Sequence, residues 1–166
     1  MKLKILTGSD NKILRTKSAE IARKEIIGKK LANIMRDMRE TLKADDLGLA
    51  APQVGFNLRV ALVRLNNGTP HARVIVMINP EIVSAGRETE IAEEGCLSLP
   101  DVWVKIERVK NLTVKFFDER GKEQVLALED LNARIIQHEI DHLDGILIVD
   151  KAVGDGNTTV PIPCIK

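Results

Sequence analysis

Five consecutive residues late in the chain, His138-Glu139-Ile140-Asp141-His142, carry its strongest chemical signal. A helix turns about 100° per residue, so positions four apart lie one above the other and the two imidazoles can grip one metal ion. Glu139, one step from His138, then reaches a water on that metal. This is the H-E-x-x-H arrangement of metal-dependent hydrolases, two ligands and a general base on one rigid element. The plain alternative is a helix whose histidines are simply hydrogen-bonded, with Glu139 in solvent. Against it, two of only three histidines stand at ligand spacing. Ile135, Ile136, Ile140 and Leu143 also draw the segment toward a core, where an unpartnered polar group is costly.

Hydrolytic metals usually take three protein ligands and leave one position open for water. Beyond His142 there is no histidine and no glutamate, only Asp144, Asp150 and Asp155, so the third ligand must come from upstream. Cys96, within Glu93-Glu94-Gly95-Cys96-Leu97-Ser98-Leu99-Pro100, is the candidate. A lone cysteine is otherwise a small buried hydrophobe, and the missing ligand is what argues against that reading here. His71, after Gly68-Thr69-Pro70, reads as a loop histidine. A third stretch, Gly48-Leu49-Ala50-Ala51-Pro52-Gln53-Val54-Gly55, is small enough to admit another backbone or a ligand, with the Gln53 amide as a donor beside it. Taken alone, such a corner is ordinary packing.

These residues need elements to hold them. Ile27, Leu31, Ile34, Met35, Met38 and Leu42 recur at spacings of three and four, which predicts a helix from about Ser18 to Leu42 with one apolar face. Short β-branched runs at Arg59 to Leu65, Arg73 to Ile78 and Val102 to Val109 read as strands, punctuated by turn material at Asn66-Asn67-Gly68 and Asn79-Pro80. Leu112 to Phe117 and Gln124 to Leu128 flank Asp118-Glu119-Arg120-Gly121, a connection suited to an antiparallel hairpin. A second helix follows from about Leu131 to Leu143, with Asp130 placed to cap its start and Gly145 at or just past its end. Strands gathered between two helices indicate an α+β fold rather than a doubly wound sheet, and no phosphate-binding glycine motif is found. The chain reads as one domain over 1–166, with 151–166 as an extended or loosely ordered tail that two prolines keep from being helical.

Composition narrows the function. Twenty-five Lys+Arg against 24 Asp+Glu leave a net charge of +1, which disfavours nucleic acid and anionic membranes as partners. Aromatics make up 2% and tyrosine is absent, so the core is aliphatic and the stacking platforms of single-strand binders are missing. Cys96 and Cys164 do not resemble a disulfide framework, and no apolar run approaches the ~20 residues of a membrane span. A cytoplasmic location, with no targeting segment, is the expectation.

In this order, the Gly48-to-Gln53 segment, Glu94-Gly95-Cys96-Leu97-Ser98 and His138-Glu139-Ile140-Asp141-His142 resemble the motifs of the peptide deformylase family. The resemblance runs to about Asp150. It implies antiparallel sheets packed around a central helix that carries the H-E-x-x-H motif, with an amino-terminal helix beside them. It implies that Cys96, His138 and His142 bind one divalent metal ion, that Glu139 is the acid/base, and that Gln53 and the Leu97 N–H stabilise an oxyanion. The implied reaction removes formate from the N-formylmethionine of newly made chains. The methionine slot would be walled by Leu131 and Ile135, with Leu47 and Leu49 opposite. Main-chain groups at Leu47, Gly48, Glu94 and Gly95 would pair with the substrate like an added strand. Fe²⁺ is the expected working ion, and Zn²⁺, Ni²⁺ and Co²⁺ suit the same ligands. The implied partners are formylmethionyl nascent peptides, met through transient ribosome contact by a monomer.

Two positions depart from the pattern or fall outside it. Asp46 stands where the first motif normally begins with glycine, a substitution that would be unfavourable at positive φ and could place a carboxylate at the substrate entrance. Trp103, seven residues after Cys96, is the one tryptophan and falls near the same rim. Two rival readings are an H-E-x-x-H metallopeptidase acting on unformylated chains and a metal-binding homologue without turnover.

Overall fold

The computed structural model describes residues 1–154. Its elements are α1 (Lys29–Thr41), β1 (Gly48–Ala50), β2 (Val60–Leu65), β3 (Arg73–Ala85), β4 (Thr89–Cys96), β5 (Leu99–Val109), β6 (Asn111–Phe117), β7 (Glu123–Glu129) and α2 (Asp130–Leu143), with short 3₁₀ turns at Arg23–Glu25, Ala51–Val54 and Ile148–Asp150. A five-stranded sheet runs β1-β2-β3-β6-β7 and a two-stranded one pairs β4 with β5, every pairing antiparallel. The α+β expectation therefore holds.

Strand alternation sorts side chains between two helices. Val60, Leu62, Val76 and Ile78 pack with Leu31, Ile34, Met35 and Met38 of α1. Val63, Leu65, Met77 and Val114 pack with Ala133, Ile135, Ile136 and Ile140 of α2. β2 is thus apolar on both faces because both are covered. Ala50 and Ala61 are cross-strand partners, and these two small residues let Leu143 at the end of α2 close onto the sheet. Leu14, Leu99, Val104, Ile106, Leu147 and Ile148 form a third cluster under the β4–β5 pair.

Four expectations need correction. The helix predicted from Ser18 starts only at Lys29, because Ala19 bridges Leu58 and Asn79 bonds both main-chain groups of Ile21, holding that segment extended. Ile27, assigned to the apolar face, is 71% exposed. Asn79-Pro80 is not a turn between strands but a bulge inside β3, with Asn79 at φ 50° and the register shifting between Ile78 and Glu81. Asp130 does not cap α2: β7 runs straight into the helix, Asp130 turns the corner at φ 49°, and its N–H donates to the Lys110 carbonyl.

Gly145 does end α2 as expected, at φ 75°. Its N–H bonds the His142 carbonyl, and the Ile146 N–H bonds the Asp141 carbonyl. Just past Asp150, Ala152 bridges Ile106 and the Val153 N–H bonds the Lys105 carbonyl. The rest of the tail, Cys164 included, lies outside the described residues.

Candidate active site

His138 and His142 lie on the face of α2 that looks toward the hairpin joining β4 to β5. Their rings sit 4.9 Å apart between centroids. Cys96 ends β4, immediately before the two-residue turn Leu97–Ser98, and its Sγ is 3.2 Å from His142 Nε2. Donor atoms of Cys96, His138 and His142 all lie within 4.8 Å of one another, and no other such triad of His, Cys, Asp or Glu is found among the described residues. His71 is exposed on the β2–β3 turn, as expected of a loop histidine.

Tautomer and orientation follow from the partners. His138 Nδ1 lies 2.9 Å from Glu94 Oε2; the ionised carboxylate can only accept, so Nδ1 carries a hydrogen and Nε2 is the ring atom left to face a metal. The Gln53 amide is oriented the same way. The Ala50 N–H donates to its Oε1 at 2.8 Å, which turns Nε2 toward Ser98 Oγ at 3.3 Å and Cys96 Sγ at 3.7 Å. At the hairpin tip, no backbone carbonyl of the described residues accepts the Leu97 N–H.

Glu139 shares this space. Its side chain is 4% exposed, and Oε2 has no hydrogen-bond partner. Gly48 makes its position feasible, since a Cβ there would sit 2.2 Å from Glu139 Oε1. Burial pushes the Glu139 carboxyl up to about 7, only partly offset by the charges of His138 and Arg108. Burial alone would lower both imidazoles. At His138 the hydrogen bonds with Cys96 and Glu94 outweigh burial and the pKa rises to about 10. At His142 nothing offsets burial, and the charges of His138 and Arg108 depress it further.

Beneath the histidines lies an ion network that motif spacing did not reveal. Glu94 takes two bonds from Arg108, at 2.7 and 2.9 Å, and one from Arg134 at 2.8 Å. Arg108 also reaches Asp141 at 2.6 Å, and Lys151 bonds the other Asp141 oxygen. Burial alone would raise the Glu94 pKa, but the bonds and charges of Arg108 and His138 hold it far below the usual carboxylate range. One signal was available. Arg108 stands on the face of β5 that carries Val104 and Ile106, where an arginine must have a buried partner.

A cleft of about 450 Å³ opens over these groups, lined by Leu47, Gly48, Leu131 and Ile135 among others. Glu94 and Gly95 line its other wall. Leu49 does not reach it. Alternation turns its side chain to the opposite face of β1, where it is fully buried among the α1 cluster. The Leu47 carbonyl already accepts the Arg64 N–H, so only the rest of that edge is open to a ligand. Asp46 is not among the residues at positive φ, and the missing glycine costs no backbone strain.

The model of the polypeptide deformylase family matches residues 2–157. The chain belongs to the polypeptide deformylase family. A peptide deformylase of Pseudothermotoga lettingae is 42% identical over 139 residues, covering 83% of this chain and 76% of the relative. The crystal structure of peptide deformylase from Thermotoga maritima superposes with a TM-score of 0.83 at 38% identity, covering 93% of this chain and 99% of that one. A class I type b peptide deformylase from Acinetobacter baumannii, solved with Met-Ala-Ser bound, gives 0.82 at 34% identity, over 91% and 98% of the two chains. Enzymes of this family are metal-dependent hydrolases that remove the N-formyl group from nascent peptides, and this is the activity of the chain. No helix among the described residues is long and apolar enough to cross a membrane.

Proposed function

We propose that Cys96, His138 and His142 hold one divalent cation, and that Glu139 moves the proton as the formyl group leaves an N-terminal methionine. The observation that carries this reading is the convergence of one sulfur and two imidazoles within 4.8 Å, beside a buried carboxylate oxygen that lacks a partner. A thiolate and two imidazoles suit Fe²⁺, Zn²⁺, Co²⁺ or Ni²⁺. We take Fe²⁺ as the working ion. When bound, the ion supplies a Lewis acid that acidifies water and polarises the formyl carbonyl.

The chain's own groups do the rest. Glu139 accepts a proton from the attacking water, and its raised pKa suits it to release that proton again near neutrality. Gln53 Nε2 and the Leu97 N–H oppose the charge that grows on the carbonyl oxygen, more strongly than they meet the ground state. Glu139 then protonates the departing amine, and formate leaves.

The methionine side chain fills the slot beside Leu131 and Ile135. Its backbone lies between the outer edges of β1 and β4, near Leu47, Gly48, Glu94 and Gly95. Met-Ala-Ser, bound to the Acinetobacter relative, is what formyl removal leaves of formyl-Met-Ala-Ser and supports formyl-methionyl peptides as the substrate class. The setting we propose is a cytoplasmic monomer that meets chains in transient contact with the ribosome.

The test uses iron-loaded protein prepared without oxygen. Formate release from formyl-Met-Ala-Ser, no cleavage of the unformylated peptide, and loss of stoichiometric metal in Cys96→Ser are expected. Digestion of unformylated chains, or full metal retention by Cys96→Ser, would overturn the assignment.

A further inference from the structure

The two donors assigned to the oxyanion stand on loops of different sheets, so their spacing has to be fixed from outside both. Gln53 lies in the 3₁₀ turn Ala51–Val54 that follows β1, and Leu97 at the tip of the β4–β5 hairpin. No strand pairing joins them, since β1 belongs to the five-stranded sheet and β4–β5 forms a sheet of its own. Nor does the hairpin ladder hold its own tip. The ribbon is regular as far as Gly95 and its cross-strand partner Trp103, where the indole packs so closely that a Cβ on Gly95 would sit 2.9 Å from Cζ2. Between Gly95 and Cys96 the register shifts, and the last pair is Cys96 with Leu99.

The connection comes from the chain ahead of α1. The Leu6 N–H donates to the Gln53 carbonyl at 2.7 Å, and the Gly8 N–H donates to the Ser98 carbonyl at 3.1 Å. Residues two apart on an extended chain present the same edge, so one short strap reaches both loops. The Leu6 side chain packs on the cluster of Leu14, Leu99 and Leu147, as Cys96 does. Gly8 stands at φ 106°, which a side chain would strain, and its carbonyl accepts the Asn11 N–H as the chain turns away.

Ser98 is where this strap meets Gln53. It is fully buried, does not line the cleft, and its Oγ accepts one Gln53 Nε2 hydrogen at 3.3 Å. With Oε1 held by the Ala50 N–H, the amide is fixed at both ends, and its second hydrogen stays on the side of Cys96 Sγ, 3.7 Å from Nε2. We propose that Ser98, clamped by the Leu6–Gly8 strap, is a positioning residue that holds the Gln53 amide and the Leu97 N–H at the separation the oxyanion requires. The inference rests on the oxyanion role proposed above for these two donors. Loosening the clamp leaves the methionine slot in place but blurs the donors, which is felt where charge grows on oxygen and little in the ground state.

The experiment is a double-mutant cycle on formate release from formyl-Met-Ala-Ser by iron-loaded enzyme. Gln53→Ala is expected to lower kcat about a hundredfold. Ser98→Ala should lower kcat about tenfold while KM stays within about twofold and one equivalent of metal is retained. In the Gln53→Ala background the same change should cost less than about twofold, because its route to the reaction is gone. Gly8→Ala, strained at its positive φ, should lower kcat about threefold to fivefold with KM and metal content unchanged. Parent-like kcat in both Ser98→Ala and Gly8→Ala, or a Ser98→Ala loss that persists undiminished beside Gln53→Ala, overturns the proposal. So does a Ser98→Ala protein that sheds metal or whose KM rises as far as kcat falls, since the residue would then be merely structural. Parent-like kcat in Gln53→Ala would instead overturn the oxyanion role of Gln53, and the inference with it, so the two failures are distinguishable.

Discussion

Glu94 and Glu139 stand on either side of His138, 6% and 4% exposed, yet their surroundings treat them in opposite ways. Glu94 meets two arginines and an imidazole N–H, which more than repay its burial, so it stays ionised. Glu139 meets Gly48 and an open cleft, keeps an oxygen without a partner and is pushed up to about 7. Burial alone therefore does not assign a role to a carboxylate. The partner list separates an acid that fixes the His138 tautomer from one that can take and return a proton.

Breaking the first member tests the difference most severely. Glu94→Ala takes the shared carboxylate from two buried arginines, leaving Arg108 with Asp141 alone and Arg134 with main-chain carbonyls, and frees the His138 ring. A loss of about 3–5 kcal/mol in urea unfolding, together with weaker metal retention, is expected. Glu139→Gln should fold and hold metal normally but lower kcat by about a hundredfold to a thousandfold. Normal kcat in that variant would make the two carboxylates equivalent after all.

The same variant sharpens the comparison through pH. The folded carboxyl titrates near 7 and the unfolded one near its ordinary 4.5, so the cost of ionising Glu139 grows as pH rises from 4.5 to 7 and is constant above. In chelator-stripped protein, Glu139→Gln should match the parent near pH 4 and exceed its stability by on the order of 2 kcal/mol at pH 8, read from urea midpoints. Smallest is Gly48→Ala, whose methyl displaces the Glu139 carboxylate. A loss of about 1 kcal/mol in stability with a severalfold drop in kcat is expected from the same unfolding and formate assays.

Much of this contrast was legible in the chain. The spacing of His138, Glu139 and His142 and the absence of a later ligand pointed to Cys96, and the hairpins around Asp118–Gly121 and the end of α2 at Gly145 follow from local turn chemistry. What escaped depends on distant partners. The chain around Ile21 falls within the helical periodicity but is held extended by Asn79, 58 residues on, and no local pattern announces that. Leu49 fell on the wrong face because β1 is only three residues long, too short for its alternation to be read. The Arg108–Glu94 pair joins neighbouring strands across a register that only the folded hairpin sets.

Trp103 lying over Gly95 has a practical corollary. With no tyrosine in the chain and a single tryptophan, near-ultraviolet absorption and emission come almost wholly from one indole beside the cleft. Ligand titrations carry their own optical signal without a label. A melt followed at those wavelengths watches the β4–β5 ribbon peel back, and it will run ahead of circular dichroism if that ribbon opens before the five-stranded sheet.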